Sequence, residues 1–201
     1  MAIKTFTAGE ILTAADTNTY LANSGLVYIA GATFSGITSG APLDVNSVFS
    51  STYTNYVLLL RVSQTVATGS TVFKMRTVST LESGSIYSYA WGGTYIGVGP
   101  VYNFAGYATT SPFAPATEMF AGIAAGAGYS GTARIEIQSP NVARGTRMLG
   151  QAYTDYSGTY YNTSLTAGGE VSSSTQYTGF RLYPSAGTAS GEYQLYGYRI
   201  A

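Results

Sequence analysis

The stretch from Tyr177 to Ala201, YTGFRLYPSAGTASGEYQLYGYRIA, restricts the fold of this chain more than any other. It holds two runs, Tyr177–Tyr183 and Gly191–Ile200, separated by Pro184-Ser185-Ala186-Gly187-Thr188-Ala189-Ser190. Phe180 and Leu182 alternate with Gly179, Arg181 and Tyr183. Farther on, Tyr193 and Leu195 alternate with Gln194, Tyr196 and Tyr198. Side chains on a strand change face at every residue, so a period of two with one apolar set describes a strand with one buried face. Pro184 cannot donate to a ladder, and the Ser/Gly/Thr cluster after it is loop chemistry. The expectation is an antiparallel hairpin that ties this end of the chain into a sheet.

The same period recurs upstream. Leu26-Val27-Tyr28-Ile29-Ala30 is a short apolar run, and Gly36–Leu43 is loop-like with room for one short strand. Tyr56-Val57-Leu58-Leu59-Leu60-Arg61-Val62 is the strongest strand, and its unbroken apolar character predicts burial on both faces. Thr71–Val78 alternates, which predicts an amphipathic strand with Lys74 and Arg76 outward. Tyr87, Tyr89 and Trp91 share one face before Gly92-Gly93, where the run is expected to break. Phe120–Ala127 reads as a small-residue strand. In Gly131–Gln138, Ile135 and Ile137 face in while Arg134, Glu136 and Gln138 face out, with Thr146–Tyr153 as the hairpin partner. Asp155–Ser174, rich in Tyr, Ser and Gly, reads as a loop region. Many short strands parted by Gly, Pro and Ser turns imply an all-β fold, an antiparallel β-sandwich of jelly-roll type.

Residues 1–25 differ from the rest. Thr13 is a good N-cap with Asp16 three residues on, Ala14, Ala15, Tyr20, Leu21 and Ala22 permit a short helix, and Gly25 can close it. An isolated helix in water needs about 12–15 residues, so this one must pack against its own domain, a sister subunit or another protein. The division is therefore 1–25, a docking segment with a short helix, and 26–201, the sandwich.

Composition removes several function classes. The 201 residues contain neither Cys nor His, so disulfides, thiol chemistry and the commonest general base and metal ligand are absent. Nine basic and nine acidic side chains leave no cationic surplus for phosphate backbones, which argues against nucleic-acid binding. No apolar run approaches the roughly 20 residues of a membrane helix, and no signal peptide is visible, so a membrane role and standard secretion are not expected. The nine carboxylates are scattered along the chain, Gly97-Val98-Gly99 is followed by Pro100 rather than a helix, and no nucleophile stands beside a base. The chain reads as a non-enzyme without cofactor or metal.

Nineteen tyrosines remain to be explained. Tyrosine offers a broad apolar face and a polar tip at low entropic cost, as recognition surfaces require. It also stabilises sheets by cross-strand packing without binding anything. Both roles stay open for any single tyrosine. Tyr153, Tyr156, Tyr160 and Tyr161 form the best candidate for an exposed ligand or receptor surface, on which sugar rings could stack.

The segment Lys4–Asn23, KTFTAGEILTAADTNTYLAN, resembles the opening of many bacteriophage virion proteins encoded near tail genes. The run from Val48-Phe49-Ser50-Ser51-Thr52-Tyr53 to Leu60, with Thr178–Pro184 and Tyr196-Gly197-Tyr198-Arg199, is similar to β-rich structural proteins of cyanobacterial and other phages. Together they cover about a third of the chain and carry no catalytic residue. The resemblance implies a virion component assembled in the host cytoplasm, contacting other virion proteins and self-associating, with a homotrimer favoured. A tail-fibre or tail-tip component is the first expectation, with a host-surface glycan as candidate ligand. A head-decorating cement protein is the second, and a polysaccharide-binding or -degrading protein the third. Leu12, Tyr20 and Leu21 are the candidate virion-docking residues.

Overall fold

The computed structural model describes residues 7–11, 13, 25–66, 71–82, 87–96, 102–108, 129–156 and 161–199. Its elements are all strands: β1 Leu26–Ile37, β2 Leu43–Val45, β3 Tyr53–Gln64, β4 Thr71–Arg76, β5 Tyr87–Ile96, β6 Tyr102–Ala108, β7 Tyr129–Gln138, β8 Thr146–Tyr156, β9 Tyr161–Val171, β10 Gly179–Pro184 and β11 Ala189–Arg199. They form two antiparallel sheets packed as a sandwich. One has eight strands in the order β1-β11-β3-β7-β8-β9-β5-β6, and the other has three, β2-β10-β4. The expected helix in residues 1–25 and the expected strand Phe120–Ala127 lie outside the described residues.

β3 is the axis of the large sheet, hydrogen-bonded to β11 on one side and β7 on the other. Tyr56, Val57 and Leu58 are buried on both faces, as their apolar run predicts. Beyond them alternation returns: Leu60 and Val62 are buried, whereas Leu59 is 39% exposed and Arg61 faces solvent. The inward residues of β3 and of its neighbours, Ile135 and Ile137 on β7 and Leu195 on β11, meet Phe73 and Met75 of β4 and Phe180 and Leu182 of β10. Phe180 stacks on Phe73 with ring centroids 5.3 Å apart and meets Tyr193 of the large sheet edge-on at 5.7 Å. The Tyr56 hydroxyl donates to the Ser50 carbonyl (3.0 Å) and accepts from the Ser50 amide (2.8 Å), so its polar tip is satisfied inside the core.

Several expectations are corrected. The two strands at the end of the chain exist, but they are not a hairpin: β10 pairs β2 and β4, whereas β11 pairs β1 and β3. The Ser185–Thr188 connection carries the chain from one layer to the other, using a positive φ of 66° at Gly187. The apolar faces of β10 and β11 thus oppose each other across the core instead of lying side by side. Gly92-Gly93 does not end β5, which runs on to Ile96 with partners on both sides. Asp155–Ser174 is not a loop region, because β9 occupies Tyr161–Val171 and pairs residue by residue with β8. The expected β7–β8 hairpin is present in register.

Lys74 and Arg76 are not outward in the sense of being solvated: they are 8% and 7% exposed. Arg76 Nη1 stands 2.5 Å from Asp44 Oδ2, and Arg181 grips the same carboxylate with Nε at 2.5 Å and Nη2 at 2.7 Å. The hydrogen bond from Arg181, then that from Arg76, holds the Asp44 carboxyl below its ordinary range against the opposing effect of burial.

Two outcomes follow from this core. Phe180→Ala leaves a hole between the layers and should cost about 3–5 kcal/mol in urea denaturation; a loss below about 1 kcal/mol would deny Phe180 that central place. The second concerns Tyr177, fully buried with its hydroxyl donating to Glu82 Oε2 at 2.9 Å. Burial pushes it up to about 12, and burial also raises Tyr56 and Tyr193. A folded-state value above the unfolded one means stability is intact below about pH 10 and is lost as pH rises toward 12. Tyr177→Phe should flatten that alkaline loss in denaturation measured across the same range.

Candidate functional site

The outward face of the large sheet carries a groove of about 620 Å³ over β11, β3, β7 and β8. Its walls follow from register alone. Glu192, Arg61, Thr132 and Tyr153 stand directly opposite one another on the four strands. One step along, Gln194, Leu59, Arg134 and Gln151 form a parallel row. These residues point outward because their immediate neighbours, Tyr193, Leu60, Ala133 and Ala152, are buried against the small sheet. Pleating turns a buried inner set into an exposed outer one. A smaller hollow of about 270 Å³, lined by Thr33, Ser63, Ser190 and Gly191, adjoins the first and shares Arg61 and Glu192 with it.

The chemistry of the groove is mixed. Tyr153 and Leu59 are 44% and 39% exposed and supply an apolar platform. Gln194 accepts a 2.8 Å hydrogen bond from the Tyr196 hydroxyl through Oε1, which orients the amide and leaves its NH₂ to donate elsewhere. Arg134 is paired with Glu136 at 3.1 Å on its own strand, both side chains largely in water, a contact worth little to stability. Arg61 and Glu192 face each other in register, yet among the described residues neither forms an ion pair within 4 Å. An arginine held by its strand but engaged with no carboxylate is free to contact a ligand. Among the described lining residues Glu192 supplies a carboxylate. The arrangement suits stacking and hydrogen bonding to a flat, hydroxyl-bearing molecule.

Of the residues expected to form a receptor surface, Tyr153 lies in the groove. Tyr156 and Tyr161 are Cα partners at the far end of the β8–β9 pair, and Tyr156 has the opposite strand parity to Tyr153. Their side chains, and Tyr160 altogether, lie outside the described residues, as do Leu12, Tyr20 and Leu21. Six polar or apolar partners of Tyr153 were not legible beforehand: Leu59, Arg61, Arg134, Gln151, Glu192 and Gln194. The available signal was a repeated pair of outward residues two apart, Leu59/Arg61, Thr132/Arg134, Gln151/Tyr153 and Glu192/Gln194, one pair on each strand. No protein family, curated protein or solved structure matches this chain.

If the groove serves contact rather than folding, its exposed polar residues should be dispensable for stability. Arg61→Ala and Gln151→Ala should each shift the urea-denaturation free energy by no more than about 0.5 kcal/mol. A loss above about 2 kcal/mol would assign them a structural role instead.

Proposed function

We propose that this chain is a non-enzymatic structural protein of a phage virion, a tail-fibre or tail-tip component that touches a host-surface saccharide through the β11-β3-β7-β8 groove. The observation that carries the contact is the two-row grid, in which Tyr153 and Leu59 offer a stacking platform beside the uncommitted Arg61. The virion assignment is supported by the resemblance of Lys4–Asn23 and of the segments around Val48–Leu60 and Thr178–Pro184 to phage structural proteins. A neutral, hydroxyl-rich chain with nine charges of each sign also suits a particle surface that must not bind ions or polyanions indiscriminately. In this reading residues 1–25 form a short helix that docks on the virion through Leu12, Tyr20 and Leu21. The body is a jelly-roll-like sandwich, three copies assemble about a threefold axis, and assembly takes place in the host cytoplasm.

A second reading, a cement protein on the head, draws on a different observation. Leu26, Tyr28 and Leu149 are 46%, 58% and 52% exposed, apolar surface that a lattice neighbour would cover.

Immunogold electron microscopy of intact virions separates the two: label at the tail end supports the appendage, and label over the head supports the cement protein. Absence of label with a competent antibody removes the virion assignment. The groove is tested separately by host adsorption. Arg61→Ala combined with Tyr153→Ala should lower adsorption about tenfold or more while the protein stays folded, since truncating arginine and tyrosine anchors commonly costs more than 1 kcal/mol. Unchanged adsorption would take the groove out of receptor contact.

A further inference from the structure

The small sheet presents an unbalanced charge cluster on the face turned away from the core. Asp44, Arg181 and Lys74 lie in one register row across β2, β10 and β4. Arg76, two residues farther along β4, reaches the same carboxylate. Two cations therefore share one anion, and a third, Lys74, stands beside them without one.

Donor accounting locates the surplus. Arg76 gives Nε to the Thr77 carbonyl at 3.3 Å and Nη2 to the Val78 carbonyl at 3.4 Å, and its Nη1 is in ionic contact with Asp44. Arg181 spends Nε and Nη2 on Asp44. What remains is Lys74 Nζ and the outer edge of Arg181, the two Nη1 hydrogens and the second Nη2 hydrogen. Neither has an acceptor or a carboxylate among the described residues. Lys74 Nζ lies 6.0 Å from the centroid of the Tyr183 ring, a distant cation–π contact. Lys74 is also 8% exposed, and the one charge acting on it is Arg181, of like sign. Burial, and then that repulsion, push the Lys74 ammonium below its ordinary range. A cation so placed is costly until something negative arrives. The Arg181 and Asp44 side chains are 25% and 29% exposed, so the place is reached from solvent.

We propose that Lys74 Nζ and Arg181 Nη1 form a seat for a tetrahedral oxyanion, a phosphate or sulfate group. The side-on Nε–Nη2 fork of Arg181 is already occupied by Asp44, which leaves its outer Nη edge beside Lys74 for an incoming oxyanion. A compact ammonium beside that edge can meet oxygens out of the guanidinium plane, which a tetrahedral group supplies and a planar carboxylate does not. The seat lies on the other sheet from the groove and does not depend on the virion reading.

The test is thermal unfolding of the full chain titrated with sodium phosphate or sodium sulfate, against sodium chloride at equal ionic strength. Both anions also stabilise proteins generally, by an unsaturating effect that ignores any one side chain. A seat adds a saturable rise in Tm, roughly 5 °C or more at a hundredfold excess over Kd. That saturable part should vanish in Lys74→Met, which keeps the stem and removes the charge. The same unsaturating slope in both proteins overturns the proposal. Should Lys74→Met fail to fold, phosphorus NMR of inorganic phosphate with the native chain decides. Saturable line broadening reversed by sulfate supports the seat, and lines unaffected by the protein remove it.

Discussion

Phe180 is where the two layers are joined. Its ring lies against Phe73 in its own sheet, Tyr193 in the other, and Phe49 in the segment that leads into β3. Burial of apolar rings is non-directional, but interlocked rings are not, and this contact sets which way each sheet turns its apolar side. Once Tyr193, Leu60, Ala133 and Ala152 are committed inward, Glu192, Arg61, Thr132 and Tyr153 have nowhere to go but outward. The groove is in that sense the reverse side of the core.

The same constraint gives the groove its geometry. Eight side chains from four strands hold their spacing because each strand is laddered to the next, and a one-residue slip would exchange inner and outer sets wholesale. A surface assembled this way is firm at the backbone while its long side chains Arg61 and Gln151 keep rotameric freedom. Such a surface can fit a ligand by side-chain adjustment without loop rearrangement.

Much of this was visible in the amino-acid order, and the limits have a physical cause. An unbroken apolar run located β3, and β8 was placed as the partner of β7. Period-two alternation located β4, β7, β10 and β11, because alternation is a local property of a half-buried strand. It could not say which sheet a strand joins. Phe180/Leu182 and Tyr193/Leu195 would read the same whether β10 and β11 pair edge to edge or face each other across a core, and they do the latter. β9 was missed because Thr163, Ser164, Gly168 and Gly169 carry turn chemistry in isolation; its pairing with β8 and β5 outweighs that preference. Lys74 and Arg76 were expected in water because charge usually is; Asp44, which engages Arg76, lies on a strand far away in the chain. For the groove, Tyr153 was found through residue type, whereas its partners come together only through strand order.

β11 has one more consequence. It sits between β1 and β3, so the edge strand β1 is joined to the large sheet by a strand that leaves the ribosome long after both of its partners: Ser63 and Ser190, neighbours across that ladder, are 127 residues apart. Until β11 has emerged, a nascent chain holds β1 and β3 with nothing to join them, and β10 of the covering sheet is only just ahead. Contacts so distant in the chain make folding slow and late. The body therefore closes only once β11 has emerged, and a copy interrupted upstream of β11 has neither a closed core nor a groove.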